Sequence, residues 1–199
     1  MTYSIFDDMA QCTEQEVARL LNVVSDQRCQ QALAYKHLHG QYCCLKSYEL
    51  LLHLLHSISY PLCHKPTFLY NEYGQPRIEG GIFFSISHCK NAIMVAISHS
   101  PVGVDVEHLR IAKPEVVAST MNEAEQEHIW QSDDPDWAFT QLWTQKEAVL
   151  KMQGTGITSI DGIKNTLVAL ENIDLQTKVN FDRQYAYSIA SSLVVPQSL

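Results

Sequence analysis

Two carboxylates, Asp105 and Glu107, lie two positions apart in the segment Gly103-Val104-Asp105-Val106-Glu107. If this segment is a β-strand, alternate side chains point to one face, so the carboxylates share a small volume while Val104 and Val106 pack behind them. Like charges at such a distance repel unless a cation or several donors lie between them. Carboxylate oxygens suit Mg²⁺. The segment is therefore compatible with a magnesium site, but by itself it is more typical of the polar face of a half-exposed antiparallel strand.

A second candidate group recurs every four residues in the segment from Trp143 to Lys151. Residues four apart stack along one face of a helix, so Trp143, Glu147 and Lys151 form a row. In that row, Glu147 could complete a metal site begun on the strand, and Lys151 could hold a phosphate group. An ordinary Glu-Lys surface pair, which contributes only about 0.2–0.5 kcal/mol, is the alternative.

The third group is Ser87 and His88, which end the segment Phe84-Ser85-Ile86-Ser87-His88. A serine hydroxyl and an imidazole that titrates near neutrality can both bind phosphate. A single histidine at the end of a strand is more often a structural hydrogen-bonding group. The three segments occur together in one chain, and this combination favours the functional interpretation of each.

Composition limits the class of protein. The chain has 199 residues, 46% of them hydrophobic and 18% charged, which is typical of a folded globular protein. Its net charge of −8 argues against a general nucleic-acid binder. No apolar run approaches the roughly 20 residues that span a bilayer, and the first residues do not resemble a secretory signal. We therefore expect a cytoplasmic protein that binds neither nucleic acid nor membrane.

The predicted elements are mixed. They are a long helix from Ser25 to about Ser59, strands at 81–87, 92–98 and 102–107, a helix from about Pro135 to Met152, and strands at Asn165–Leu170, Thr177–Phe181 and Tyr185–Ala190. Each half of the chain offers a long helix and several strands, which predicts an α+β fold. Ser100-Pro101 interrupts the pattern. We place the boundary there, between an N-terminal lobe (1–101) and a C-terminal lobe (102–199) that carries the metal site.

Together, the three segments resemble the motifs of the 4′-phosphopantetheinyl transferases of the longer, two-lobed, surfactin-synthetase-activating type. The family's F-S-x-S-H corresponds to residues 84–88, its G-[VI]-D-[VI]-E to residues 103–107, and its W-x-x-K-E-A-x-x-K to residues 143–151. A weaker fourth match is Gly74-Gln75-Pro76, where the family usually carries Gly-Lys-Pro. The motifs lie between residues 74 and 151.

The resemblance implies two similar lobes related by a pseudo-twofold axis, each with a small, mainly antiparallel sheet on a long helix. Coenzyme A would bind between the lobes. The implied enzyme transfers 4′-phosphopantetheine from coenzyme A to a serine of an apo acyl or peptidyl carrier protein. Its products are the holo carrier protein and adenosine 3′,5′-bisphosphate. Since both lobes belong to one chain, a monomer would suffice.

Site residues follow from the same resemblance. Asp105, Glu107 and Glu147 would hold Mg²⁺ against the pyrophosphate of coenzyme A. Glu147 is also the candidate base for the carrier serine, and Lys151 would steady the phosphoryl group; whether Glu147 is base, ligand or both stays open. The residues expected to bind coenzyme A are Arg28, Gln75, Ser87, His88 and Lys151.

Two other functional classes are compatible with part of this pattern. A catalytically silent module could keep the fold and bind coenzyme A or a carrier protein without chemistry. A magnesium-dependent phosphohydrolase would use similar carboxylates on other substrates. The presence of all three carboxylates with Lys151 argues against the first class, and the Ser87-His88 pair is unexplained by the second.

Overall fold

The computed structural model describes residues 1–61, 65–156, 160–168 and 170–194. The strands are β1 (Thr2–Phe6), β2 (Leu69–Tyr70), β3 (Pro76–Arg77), β4 (Phe83–His88), β5 (Ile93–Ser98), β6 (Val102–His108), β7 (Ile173–Asn180) and β8 (Tyr185–Ser192). The helices are α1 (Glu14–Leu21), α2 (Asp26–Leu33), α3 (Leu38–Ser57), α4 (Pro114–Thr120), α5 (Glu123–Gln131), α6 (Pro135–Gln153) and α7 (Ile160–Lys164). Within the described ranges, no helix is long and apolar enough to cross a membrane.

The first sheet packs against α3. It has three antiparallel strands in the order β1-β5-β4. Leu45, Leu51 and Leu55 of α3 are fully buried and share one hydrophobic cluster with Ile93 and Val95 of β5. One face of α3 thus covers this sheet and buries its apolar side chains.

The second sheet packs against α6. Its order is β6-β8-β7, again antiparallel. Asp134 caps α6 by accepting a hydrogen bond from the Trp137 N–H, and Pro135 occupies the first turn. The helix ends at Gly154, which adopts the left-handed conformation that glycine tolerates best. These local signals fix both ends of the helix that carries Glu147 and Lys151.

Gly103 sets the distance between α6 and β6. A Cβ atom at this position would overlap the Ala148 carbonyl oxygen and the Met152 backbone nitrogen. Only glycine lets the two backbones approach so closely. The close approach brings the face of α6 that carries Lys151 onto the acidic strand.

The two sheets meet where β4 runs beside β6. The Ser85 Oγ accepts a hydrogen bond from the Val104 N–H at 3.0 Å, which satisfies a backbone donor on the free edge of β6. Behind the strands, Val104 and Val106 share a hydrophobic cluster with Met94 of β5. The strand with the serines and histidine therefore lies directly beside the strand with the carboxylates.

Most sequence-based predictions of elements are confirmed. The class is α+β with small antiparallel sheets, the 81–98 hairpin pairs as β4 and β5, and α6 covers the predicted range. The strands predicted at Thr177–Phe181 and Tyr185–Ala190 overlap β7 and β8. The pseudo-twofold relation and the lobe boundary at residue 101 stay predictions.

Two element predictions are wrong. The stretch from Ser25 to Ser59 is not one helix, because α2 ends at Leu33 and α3 begins at Leu38. The break lets α2 cross α3, and Arg28 of α2 donates from Nε to the Cys44 carbonyl oxygen at 2.9 Å. The strand predicted at Asn165–Leu170 is also wrong, since residues 165–168 form turns; residue 169 lies outside the described residues.

The substitution Gly103→Ala should destabilise the protein. The added methyl group meets helix backbone, which cannot move aside as a side chain can, so we expect a loss of about 1–3 kcal/mol in the free energy of unfolding. Urea denaturation measures it. Gly40→Ala is the comparison variant: its methyl group would meet the exposed Tyr35 side chain at 2.6 Å, so a side chain and not helix backbone must shift, and helix propensity favours alanine. Equal stabilities for the two variants would contradict the close-approach argument.

Candidate active site

Asp105 is the point at which the three sequence motifs meet. Its side chain is buried, and Oδ1 accepts hydrogen bonds from the Ser87 hydroxyl at 2.8 Å and the Lys151 ammonium at 2.7 Å. The Lys151 Nζ also donates to the Ser87 Oγ at 3.0 Å. Residues from β4, β6 and α6 thus form a closed triangle of hydrogen bonds.

The second oxygen of Asp105 is different. Among the described residues, Oδ2 is buried and accepts no hydrogen bond. An unpaired buried carboxylate oxygen is costly and rare in folded proteins. Because Oδ1 is held in place from two sides, Oδ2 has a fixed direction and is free to bind a ligand.

Glu107 follows on the same face of β6 and is half-buried. Its Oε1 accepts a hydrogen bond from the Arg110 Nη1 at 3.3 Å, and its Oε2 lies 3.6 Å from the His108 Nδ1, beyond hydrogen-bond range. Burial and the neighbouring charge of Asp105 raise the pKa of Glu107 to about 7. This pKa shift means that water and existing partners compensate the Glu107 charge poorly.

Glu147 projects from α6 and completes the acidic group. Burial raises the pKa of Glu147, Lys151 acts in the opposite direction, and the charge of Asp105 raises the pKa further. Glu147 also raises the pKa of Glu107. The three predicted carboxylates therefore interact electrostatically across the gap between β6 and α6.

The oxygen atoms of these carboxylates are of the type that binds a divalent cation, although the three side chains do not converge on one point. In the part of the chain that the structure describes, no three His, Cys, Asp or Glu side chains converge as a metal-binding group. The unpaired Asp105 Oδ2 and the raised pKa values of Glu107 and Glu147 nevertheless mark a place where negative charge exceeds its compensation. Hard oxygen donors of this kind are what Mg²⁺ binds.

A cavity of about 270 Å³ opens beside this group. Glu147 and Lys151 form its wall on the α6 side, and Ser85 and Phe84 form the β4 side. The opposite wall is the segment 73–76, which contains Gln75. The predicted cofactor residue Gln75 thus lies on the same cavity as the two predicted catalytic residues.

Gln75 also has a structural role. Its Nε2 donates to the Lys151 carbonyl oxygen at 2.6 Å, and Asn71 Nδ2 donates to the Gly154 carbonyl oxygen at 3.0 Å. Carbonyl groups in the last turn of a helix have no partner within the helix, so these amides cap α6. The β2–β3 hairpin therefore fixes the end of the helix that bears Lys151.

His88 and Arg28 lie on the side of the site that carries positive charge. His88 is the last residue of β4. The pKa of its imidazole is lowered, first by the surrounding protein atoms and then by the charges of Lys151, His39 and Arg28. Arg28 itself is held by the Cys44 carbonyl oxygen and by the Ser47 Oγ at 3.0 Å. The surroundings of His88 would therefore favour an anion.

Comparison with known proteins shows which proteins have a similar sequence in this region. Residues 101–195 match the sequence profile of the 4′-phosphopantetheinyl transferase superfamily. Over this segment, which is slightly less than half of its length, the chain is similar to this superfamily. The matched segment contains β6 and α6, and hence Asp105, Glu107, Glu147 and Lys151.

Several individual members are similar to the chain. The 4′-phosphopantetheinyl transferase gsp of Aneurinibacillus migulanus is 36% identical over 44% of this chain and 38% of the relative. The transferase HetI of Nostoc is 30% identical over 55% of this chain and 51% of the relative. The transferase Sfp of Bacillus subtilis is 24% identical over 78% of this chain and 71% of the relative. The chain thus spans about half or less of the length of the first two of these superfamily members.

Two residues of the site region escaped sequence analysis. Arg110 donates a hydrogen bond to Glu107. The sequence feature that could have indicated this contact is the position of Arg110, three residues after Glu107. Lys146, in the same motif as Glu147, is fully buried, pairs with the Glu125 Oε2 at 2.8 Å and donates to the Ile163 carbonyl oxygen at 2.8 Å. Lys146 therefore anchors α6 to α5 and α7, away from the triangle of hydrogen bonds.

The raised pKa of Glu107 gives a pH test without a metal ion. The folded state keeps a proton at Glu107 up to about pH 7, whereas the unfolded chain loses it near the ordinary value of 4.5. The proton on Glu107 therefore stabilises the folded state. This contribution to the free energy of unfolding is fully present below about pH 4.5 and is lost as the pH rises through about 7. Glu107→Gln removes this loss, so in EDTA the variant should gain stability relative to the unaltered protein between about pH 5 and pH 8.

Urea midpoints at the two pH values measure this gain. The exposed Glu123 on α5 provides the control, because Glu123→Gln should change stability equally at both pH values. A Glu107→Gln variant whose advantage does not grow with pH would contradict the assigned environment of Glu107.

Proposed function

We propose that this chain transfers the 4′-phosphopantetheine group of coenzyme A to a serine of an apo carrier protein. The observation that carries the proposal is the buried Asp105, held through Oδ1 by Ser87 and Lys151 and open at Oδ2, beside two further acidic residues. The names of the similar proteins support the same activity.

The cavity beside Lys151 is the proposed place for coenzyme A. A phosphate group of the coenzyme would meet the Lys151 ammonium, which already donates to two oxygens in the site. Arg28 supplies further positive charge near the end of β4, and the His88 imidazole, whose pKa is lowered, offers an N–H donor. Phosphate oxygens are strong acceptors, so these donors would fix the coenzyme's orientation before reaction.

Glu147 is the proposed base. Its raised pKa, caused first by burial, brings a carboxylate closer to the pH at which general bases work best. Glu147 would accept the proton of the carrier serine hydroxyl, directly or through water. The serine oxygen then bonds to phosphorus, and the bond from phosphorus to adenosine 3′,5′-bisphosphate breaks. Lys151 would stabilise the charge on the phosphoryl oxygens.

A divalent cation, which we propose is Mg²⁺, would be held by Asp105 Oδ2, Glu107 and Glu147. When bound, it supplies positive charge that neutralises the pyrophosphate of coenzyme A and the departing bisphosphate. The Ser87 and Lys151 contacts would keep Asp105 oriented for this role. Since all of these groups come from one chain, a monomer would suffice.

Intact-mass analysis tests the proposal directly. The protein is incubated with Mg²⁺, coenzyme A and several apo carrier proteins, of fatty-acid and of secondary-metabolic type. We expect one phosphopantetheine to be added to at least one carrier, and no addition to a carrier whose acceptor serine is alanine. Absence of the mass shift with every carrier would refute the transferase. Release of phosphate from coenzyme A without a carrier would favour a phosphohydrolase instead.

Two conservative variants test the residue roles. Asp105→Asn and Glu147→Gln keep the shape of each side chain but remove the charge, so we expect kcat/KM to fall by more than the ~10–100-fold typical of indirect effects at metal sites. Circular dichroism should show an unchanged fold. Glu123→Gln again serves as the control on α5. Near-normal transfer by either site variant would contradict its assigned role.

A further inference from the structure

Arg110 lies two residues after the end of β6, and its backbone is fixed to α6. The Arg110 N–H donates to the Oγ1 of the buried Thr140 at 3.0 Å. Two residues later, the Ala112 N–H donates to the Asp136 Oδ1 at 2.8 Å. The start of the Arg110 side chain therefore has a defined position relative to the helix that carries Glu147.

The guanidinium group of Arg110 is held at its far end as well. Its central carbon lies 4.6 Å from the centroid of the Trp143 ring, a cation–π arrangement, and the Trp143 ring in turn packs against Phe139 at 6.2 Å. A planar guanidinium stacks on an aromatic face better than a lysine ammonium does. Trp143 thus acts as a platform that limits where Arg110 can point.

From this platform, Arg110 reaches Glu107. Nη1 lies 3.3 Å from Oε1, in an ion pair that is about two thirds buried on the arginine side and three quarters buried on the glutamate side. Glu107 is therefore held by one oxygen, as Asp105 is held through Oδ1 by Ser87 and Lys151. In both acidic residues one oxygen is occupied by a protein donor.

We propose that Arg110, stacked on Trp143, is a positioning residue that orients the Glu107 carboxylate so that its second oxygen can bind the divalent cation. This inference rests on one part of the proposed function, the site for a divalent cation, and does not depend on the transfer reaction. The proposal gives Trp143 a role in the site, because Trp143 supports Arg110 and Arg110 in turn holds Glu107 of β6. Arg110 acts through Glu107 and does not touch the reacting atoms.

The alternative role for Arg110 is simple neutralisation of charge. The two roles predict opposite effects on the cation. If Arg110 only compensates negative charge, its removal should strengthen binding of a divalent cation, because repulsion between the two cations disappears. If Arg110 positions Glu107, its removal should weaken binding.

Calorimetric titration of Mn²⁺ into the metal-free full chain, with coenzyme A present, distinguishes these roles. We expect Arg110→Met to raise the Kd for Mn²⁺ by about 10–100-fold. Arg110→Lys keeps the charge but loses the planar group, so it should not restore the affinity. Lys113→Met, which removes an exposed charge from the same segment, should leave Kd unchanged. Urea denaturation of each variant checks that stability is retained.

Tighter or unchanged Mn²⁺ binding by Arg110→Met would overturn the proposal, as would full affinity in Arg110→Lys. If the unaltered chain binds no Mn²⁺, both the metal site and this role of Arg110 are refuted. The transferase proposal fails separately: a chain that binds Mn²⁺ in an Arg110-dependent way, yet never adds phosphopantetheine to a carrier, would retain the positioning role and lose the proposed activity.

Discussion

The contact of Lys151 with Asp105 and Ser87 joins the parts of the chain on which the site depends. It connects α6 to β6 and β4, and so places three separate sequence motifs at one carboxylate. Asp105 is almost completely buried, and a buried carboxylate without a partner would be strongly destabilising. The ion pair compensates one oxygen of Asp105 and leaves Oδ2 unpaired.

Apolar packing, and not this ion pair, must hold the helix in place, because buried salt bridges seldom give net stability. Val104 and Val106 pack behind the acidic face of β6, and Gly103 lets the α6 backbone lie against the strand. Gln75 then caps the end of the helix beside Lys151. The site thus consists of carboxylates whose negative charge is only partly compensated, held by well-packed strands and a helix. Such a local departure from optimal stability is expected at a functional site.

Helices and strands could be predicted well where capping or turn residues mark their ends, and poorly where no such residues do. Helix α6 was predicted almost to the residue because Asp134, Pro135 and Gly154 determine its ends. The break between α2 and α3 was missed because no proline or paired glycine marks it, and tertiary packing of Arg28 on α3 favours it. The strand predicted at 165–170 failed for a similar reason, since a short apolar stretch does not distinguish a strand from a packed turn.

Sequence patterns predict which side chains share a face: Asp105 with Glu107 on a strand, and Trp143 with Glu147 and Lys151 on a helix. Periodicity decides this, since side chains repeat every two residues in strands and about every 3.6 in helices. Which of these faces meet is known only from the folded chain. The partners of Asp105 are 18 and 46 residues away along the chain, and no local rule specifies such contacts. The stacking of Arg110 on Trp143 is equally non-local, since it joins the segment after β6 to the middle of α6.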